Sequence, residues 1–516
     1  MMKKIIVNGI CTSISGLLLA CNTGKEEKLP NIIFILADDM GYGDVSALNE
    51  NSKIQTPYID NIARQGVVFT DAHSSSSVST PTRYGVLTGR YNWRSTMKRG
   101  VLGGYSEPLI PLERRTVASI LKDQDYETAC IGKWHLGWTW NNIENGNEQV
   151  DFSKPITHGP VDLGFDYFYG IPASLDMPPY VYVENNMPTA IPDRITEDTG
   201  RQSWWRKGPT ASDFDHRTTL SHLIDKAVDY IGNKSNQEKP FYLYLPLPAP
   251  HTPILPSEAF AGKSGLNPYA DFVMEVDHMV GRISETLKKN GIYDNTILVF
   301  TADNGCSPEA RFEELQEKGH YPSYIYRGHK ADLFEGGHRV PCVAQWPSKI
   351  KPHTVNQTIC LTDFLSTFAS IAGYELKDNE GEDSYNLLPL FVNETEQEII
   401  REATVHHSLF GEFTIRQGEW KLLLSPSSGG WSYPDPNKDT TVIKSLPRIQ
   451  LYNMKTDPGE MQNVYADHTD IVRKMTDLMI SYVKNGRSTP GIPQQDNGPE
   501  HWGSRLIEEW LANEKP

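Results

Sequence analysis

Asp38 and Asp39 close the run NIIFILADD, and Asp303 and Asn304 close its near twin, TILVFTADN. Three carboxylates and an amide oxygen are hard donors, suited to Ca2+ or Mg2+ far better than to a thiophilic metal. Asp and Asn are also common at turns and helix caps, so one such pair carries little weight; two pairs at matching places in one sheet carry more. Cationic residues fall at comparable positions: Arg83 in STPTRYGVLTGR, Lys133 and His135 in GKWHLG, His251 in PAPHTP and Lys330 in YRGHKADLFEGGHRVP. Read as extended backbone, GKWHLG projects Lys133 and His135 to the same side. Singly, each of these is as readily a surface or core group. Gathered beside a divalent cation, they make a pocket for an oxyanion.

That gathering needs a scaffold. NIIFILADD, TACIGKWHLG, FYLYLPLPAPHTP and TILVFTADNG read as buried, mostly parallel strands whose polar residues lie just past their carboxyl ends. TPYIDNIARQGVVF and RTTLSHLIDKAVDYIGN have helical spacing between them. Strand alternating with helix predicts an α/β fold, a large sheet covered on both faces, with its ligand site at the carboxyl edge. From about Glu398 the pattern changes. FTIRQGEWKLLL and IQLYNMKTDPGEMQNV read as short antiparallel strands, and DIVRKMTDLMISYVKN as a helix, giving a smaller α+β domain. The expected division is a catalytic domain over 31–398 and a C-terminal domain over 399–516. The Pro- and Trp-rich stretch from Asp166 to Pro209 has little periodicity and reads as an ordered insertion near the active face.

The 516 residues carry 49 Lys+Arg against 65 Asp+Glu, a net charge of −16 that repels a phosphate backbone and excludes nucleic acid as a general partner. Eleven Trp and 24 Tyr suit carbohydrate stacking and ordinary cores alike. At the N-terminus, Lys3 and Lys4 precede a short apolar stretch ending in Leu18, Leu19, Ala20 and Cys21, which reads as a secretory signal over 1–20. The ending resembles a bacterial lipobox, implying lipidation of Cys21, a tether over 21–30 and an exported lipoprotein, periplasmic or on the cell surface. Its only membrane partner would be that lipid anchor. Cys130, Cys306, Cys342 and Cys360 remain in the body; they form no disulfide framework, though one bridge is possible.

STPTRYGVLTGR, from Ser79 to Arg90, resembles the signature of the formylglycine-dependent type I sulfatases of the alkaline-phosphatase-like superfamily: Cys or Ser, any residue, Pro, Ser or Thr, Arg, then Leu-Thr-Gly-Arg. The resemblance continues through ADDMGYGD, GKWHLG, LGFDYFYG, FTADNG and EGGHRVP, nearly the whole mature chain. It implies that a maturation enzyme oxidises Ser79 to formylglycine (3-oxoalanine), and the serine form resembles the version matured by an anaerobic bacterial radical enzyme. An aldehyde hydrate can attack sulfur with one hydroxyl and expel sulfate through the other, where a serine would be trapped as a stable ester. The same resemblance implies one Ca2+ held by Asp38, Asp39, Asp303, Asn304 and residue 79. Lys133 and Lys330 would bind sulfate, Arg83 the hydrate; His135 would be the base of the elimination, and His251 would protonate the leaving alcohol.

The implied substrate is a sulfated carbohydrate, with galactose or N-acetylgalactosamine suggested by GIPASLDMPPYVYVEN. Two other functions stay open. One is a phosphoester or phosphonate hydrolase of the same superfamily, against which the single-metal, two-lysine pattern argues; the other is a non-catalytic lipoprotein that binds sulfated glycans. For specificity, Glu335, His338 and Arg339 follow Lys330 in a Gly-hinged segment and are expected at the pocket rim. Asp176 and either His501 or Trp502 would face them.

Overall fold

In the computed structural model of the chain, which describes residues 28–142, 150–393, 398–498 and 505–513, the run Asn31–Ala37 is a strand buried at every residue after Asn31. Thr296–Ala302 is buried along its whole length. Continuous burial means that both faces of the sheet are covered. The large sheet has ten strands, in spatial order His353–Val355, Val67–Phe69, Cys342–Gln345, Thr296–Ala302, Asn31–Ala37, Phe241–Pro246, Glu127–Lys133, Tyr167–Ile171, Val183–Glu184 and Met187–Pro188. The five from Thr296–Ala302 to Tyr167–Ile171 run parallel. Cys342–Gln345 is antiparallel to both of its neighbours, so the sheet is mixed.

Helices Pro57–Gln65, Thr219–Lys234 and Pro268–Lys289 pack together as one layer; Ser79–Thr88, Val117–Lys122 and Asp363–Ile371 form another. A separate four-stranded antiparallel sheet, Thr404–His407, Phe413–Gln417, Trp420–Leu423 and Gln450–Asn453, packs with helix Thr469–Asn485 around its own apolar cluster. Tyr91 and Trp93, from just beyond helix Ser79–Thr88, belong to that second cluster, which ties the two sheets together.

The stretch from Asp166 to Pro209 is more regular than its composition predicts. Tyr167–Ile171 joins the large sheet, and Pro192–Asp198 pairs with Trp205–Ala211 in a two-stranded ribbon. Most of the first ribbon strand faces solvent, so it needs no apolar alternation and gives no sequence signal. Cys130, Cys306, Cys342 and Cys360 are all free and buried. The expected signal, the tether up to residue 27 with Cys21, and His501 and Trp502 lie outside the described residues.

Candidate active site

Asp38 and Asp39 follow strand Asn31–Ala37, and Asp303 and Asn304 follow its parallel neighbour. The Asp303 amide donates to the Ala37 carbonyl at 3.0 Å, and the Asp39 amide to Asp303 Oδ1 at 3.2 Å, so the two strand ends are locked in register. Asp39 has φ of 65°, a left-handed turn that brings its carboxylate back over the strand end. Ser79 is the first residue of a ten-residue helix and is 2% exposed. Its Oγ donates toward Asp38 Oδ1 at 3.2 Å and lies 3.4 Å from Asn304 Oδ1. The hydroxyl thus sits among hard oxygen donors, with the positive end of a helix behind it.

Three cations each donate to a different one of three carboxylates, and Arg83 also lies 3.6 Å from Asp38. Arg83 donates from Nε and Nη2 to Asp303 Oδ2 at 3.1 and 2.8 Å. Lys133 Nζ donates to Asp38, and Lys330 Nζ to Asp39 Oδ2 at 2.7 Å. Arg83 therefore engages Asp303 rather than reaching back to residue 79. Burial alone would raise Asp38, but Lys133, His251, Arg83 and Lys330 outweigh it and hold that carboxyl well below the usual range. Asp303 goes the other way: burial and the Asp38 charge push it up to about 6 in spite of Arg83 and Lys133. Burial lowers Lys133, while Asp39 and Asp38 overcome burial at Lys330 and raise it.

The two histidines are oriented by backbone carbonyls. His135 Nε2 donates to Leu102 O at 2.7 Å, which leaves Nδ1 bare and without a partner among the described residues. Burial, with Lys133 and Arg83 nearby, keeps that ring neutral, well below its ordinary value. His251 Nδ1 donates to Thr252 O at 2.6 Å, and its Nε2 is 3.6 Å from Asp39 Oδ2. The expected extended path from Lys133 to His135 is corrected: His135 has φ of 59°, and a left-handed turn, not strand alternation, brings it to the site.

Ser79, His135, His251 and Lys330 open onto a cavity of about 530 Å³, which Asp176 also lines. Sequence reading did not single out Ser174, Trp204, Arg206, Glu309, Trp431 or Lys438, which line it too. Ser174 Oγ and Asp176 Oδ1 are buried there without hydrogen-bond partners among the described residues. The signal for Ser174 was its place just past a strand carboxyl end, in GIPASLD; nothing local marks the others. Arg206 pairs with Asp176, and Trp204 Nε1 approaches Glu309 at 3.4 Å, so the ribbon forms one wall.

Glu335, His338 and Arg339 are not at this rim. Glu335 and His338 are fully buried, and Glu335 contacts Lys421 and Arg339 at 3.1 Å each. The glycines between them are no hinge: a Cβ on Gly336 would come within 2.2 Å of Gly328 O, so they permit close backbone packing that turns the helix Glu335–His338 inward. A larger groove of about 1430 Å³, bordered by Arg416, Trp420 and Lys474, lies along the seam between the sheets and includes none of the Ser79 cluster; chemistry, not size, picks out the smaller cavity.

The sulfatase family matches residues 30–374. The N-acetylgalactosamine-6-O-sulfatase of Bacteroides thetaiotaomicron is 33% identical, with 90% of this chain and 96% of that protein covered. Human arylsulfatase A is 32% identical over 87% of this chain and 86% of its own. A solved structure from a study of glycosaminoglycan metabolism by Bacteroides thetaiotaomicron superposes with a TM-score of 0.77 at 32% identity, covering 88% of this chain and 99% of that one.

Proposed function

The chain belongs to the sulfatase family and is a hydrolase of sulfuric esters, and we propose that it removes sulfate from a sulfated sugar of galactose or N-acetylgalactosamine type, through a formylglycine made from Ser79 and with one Ca2+. The carrying observation is the Ser79 hydroxyl among the Asp38 and Asn304 oxygens, at the floor of a cavity flanked by two histidines of fixed tautomer or orientation. The oxygen-only set Asp38, Asp39, Asp303 and Asn304 fits a hard divalent cation. When bound, the cation would polarise a sulfate oxygen and the nucleophile. A formylglycine hydrate at position 79 would supply one hydroxyl to attack sulfur and a second to expel sulfate afterwards.

The other residues have roles that follow from their contacts. Lys133 and Lys330 bring ammonium groups to the cluster beside the sulfate position, and Arg83 holds Asp303 in place. His135, neutral and with Nδ1 open, is the base for the second hydroxyl. His251, with Nδ1 tied to Thr252 O, turns Nε2 to donate a proton to the departing sugar oxygen. The carbohydrate assignment draws on the relative named N-acetylgalactosamine-6-O-sulfatase.

A screen of defined mono-sulfated sugars for sulfate release, alongside mass spectrometry of the Ser79 peptide from the native source, tests the reading. A mass two hydrogens below serine is expected; turnover by protein with an intact serine would sink the mechanism. Faster hydrolysis of matched phosphate esters would sink the substrate class. We also propose export as a lipoprotein, for which Cys21→Ser should release the protein from the membrane fraction.

A further inference from the structure

A second buried polar cluster, at the seam between the two sheets, plays no part in the chemistry above. His73 ends the short strand Ala72–His73 and is fully buried, as is His338. Their Nδ1 atoms are 3.0 Å apart. The outer nitrogens face acceptors: His338 Nε2 is 3.0 Å from the Leu333 carbonyl, and His73 Nε2 is 2.7 Å from Asp71 Oδ1. A carbonyl cannot donate. Asp71 cannot either, because Arg339, Arg416 and His73 overcome burial and keep it ionised, far below the usual carboxylate range. Each outer nitrogen therefore carries a hydrogen, and two neutral rings would point bare lone pairs at each other across 3.0 Å.

Either a proton or a metal ion could fill that contact. A metal would need a third imidazole, and His406 lies close to both rings, but its nitrogens are already engaged. The third imidazole, His406, donates from Nδ1 to Ser74 O at 2.8 Å and meets the Thr404 hydroxyl through Nε2 at 2.9 Å. Its ring is stacked on His338 at 4.1 Å and 6°, so it aims no lone pair at the gap. Two imidazoles alone make no zinc site.

We propose that His73 and His338 share one extra proton, an imidazole–imidazolium bridge, and that this bridge positions the nucleophile segment. The second half rests on Ser79 being the nucleophile. The bridge clamps two segments at their bases: Ser74 N donates to His338 O at 2.8 Å, and Ala331 N, next to Lys330, donates to Ser77 O at 2.9 Å. It thus fixes both the stretch leading to Ser79 and the stretch leading from Lys330. The charged and titratable groups around it are Asp71 before the strand, Glu335 on the short helix and Arg339 just past it, His406 on Thr404–His407, Arg416 on Phe413–Gln417, and Lys421 on Trp420–Leu423, shared between Glu335 and Glu460. Burial holds both imidazoles below their ordinary value, His338 far below with His406 and Lys421 adding to it, against the pull of Glu335 and Asp71, so the bridge holds at lower pH and is lost as pH rises.

Neutron diffraction, or 15N NMR of histidine-labelled enzyme, at about pH 5, should find hydrogen on both outer nitrogens and one more between the two Nδ1 atoms. A bare Nδ1 pair, or one equivalent of zinc that disappears in His73→Gln, overturns the proton assignment. His338→Gln can donate its amide to His73 and needs no extra proton; counted per formylglycine-bearing chain, its kcat should stay within about threefold of the parent and lose the parent's alkaline decline. His338→Leu should lower kcat roughly tenfold with KM for a small aryl sulfate little changed. Equal kcat in all three with the parental pH profile would refute the positioning role. Ser79→Ala separates the two readings: retained activity there removes the nucleophile and the positioning argument with it, while the neutron map still decides the proton.

Discussion

At the carboxyl edge of the large sheet, Asp38, Asp39 and Asp303 face Arg83, Lys133 and Lys330; at the seam, Asp71, Glu335 and Glu460 face Arg339, Arg416 and Lys421. Each cluster has three carboxylates and three cations, all buried except the partly exposed Arg339. The edge cluster opens on a cavity and includes the Ser79 hydroxyl, and its cations come from separate elements: Arg83 from helix Ser79–Thr88, Lys133 from the end of strand Glu127–Lys133 and Lys330 from a loop. The seam cluster crosses between sheets: Lys421 bridges Glu335 and Glu460, and Arg416 reaches Asp71. Charge pairing is therefore no guide to function by itself. Access to a cavity does not separate them either, since Asp71, Arg339 and Arg416 line the larger groove; a hydroxyl held among the acids at a cavity floor is what distinguishes chemistry from scaffold.

The comparison breaks most sharply at Ser79. Ser79→Ala should lower turnover by about a thousandfold or more while the melting temperature holds, because the hydroxyl supplies chemistry and almost no core volume. Substantial residual activity in purified variant would move the reaction elsewhere. Next, EDTA should inhibit roughly tenfold or more and Ca2+ should restore the rate, with Asp303→Asn raising the Ca2+ concentration needed; turnover indifferent to chelation would make the edge cluster a scaffold like the seam.

The seam should respond in the opposite sense. Lys421→Met leaves Glu335 and Glu460 without their shared cation and should cost about 3–5 kcal/mol of stability, read by denaturant unfolding, with kcat unchanged below the transition. A lost rate in a fully folded variant would erase the distinction between the clusters. The smallest effect concerns pH. Burial, with the charge on Glu335, pushes Glu460 from an ordinary 4.5 up to about 7 against the pull of Lys421. The native state then binds more protons than the unfolded chain between those values, so this group's contribution to stability falls as pH rises from about 4.5 to 7. Glu460→Gln should flatten that slope in melting temperature; an unaltered slope would assign it to another group.

The central strands were legible because their burial on both faces requires unbroken apolar runs, and the acids of the site were legible because they stand immediately past those runs; Arg83 stands on a helix and was legible through the signature STPTRYGVLTGR. Short-range neighbours misled for a physical reason. Glu335 and His338 lie close to Lys330 in the chain, but tight glycine packing turns them into the seam. His135 reaches the site through a left-handed residue that strand alternation does not anticipate. Trp204 and Trp431 line the cavity from distant, solvent-facing segments, and no local spacing encodes that meeting.

Helix Ser79–Thr88 is buried at every residue, and the segment before it is closed over by strand Thr404–His407, with Ser76 Oγ bonded to a carbonyl 331 residues further along the chain. Under the formylglycine proposal this imposes a schedule on biosynthesis. An enzyme that reads residues 79–83 must reach them in the nascent chain, before the partner strand has been made. At ~5–20 residues per second, that strand follows the signature by an interval on the order of tens of seconds. Faster elongation, or early collapse of the large sheet, would then yield a stably folded population that has missed its only chance of maturation, and the active fraction of a preparation would record how the chain was synthesised.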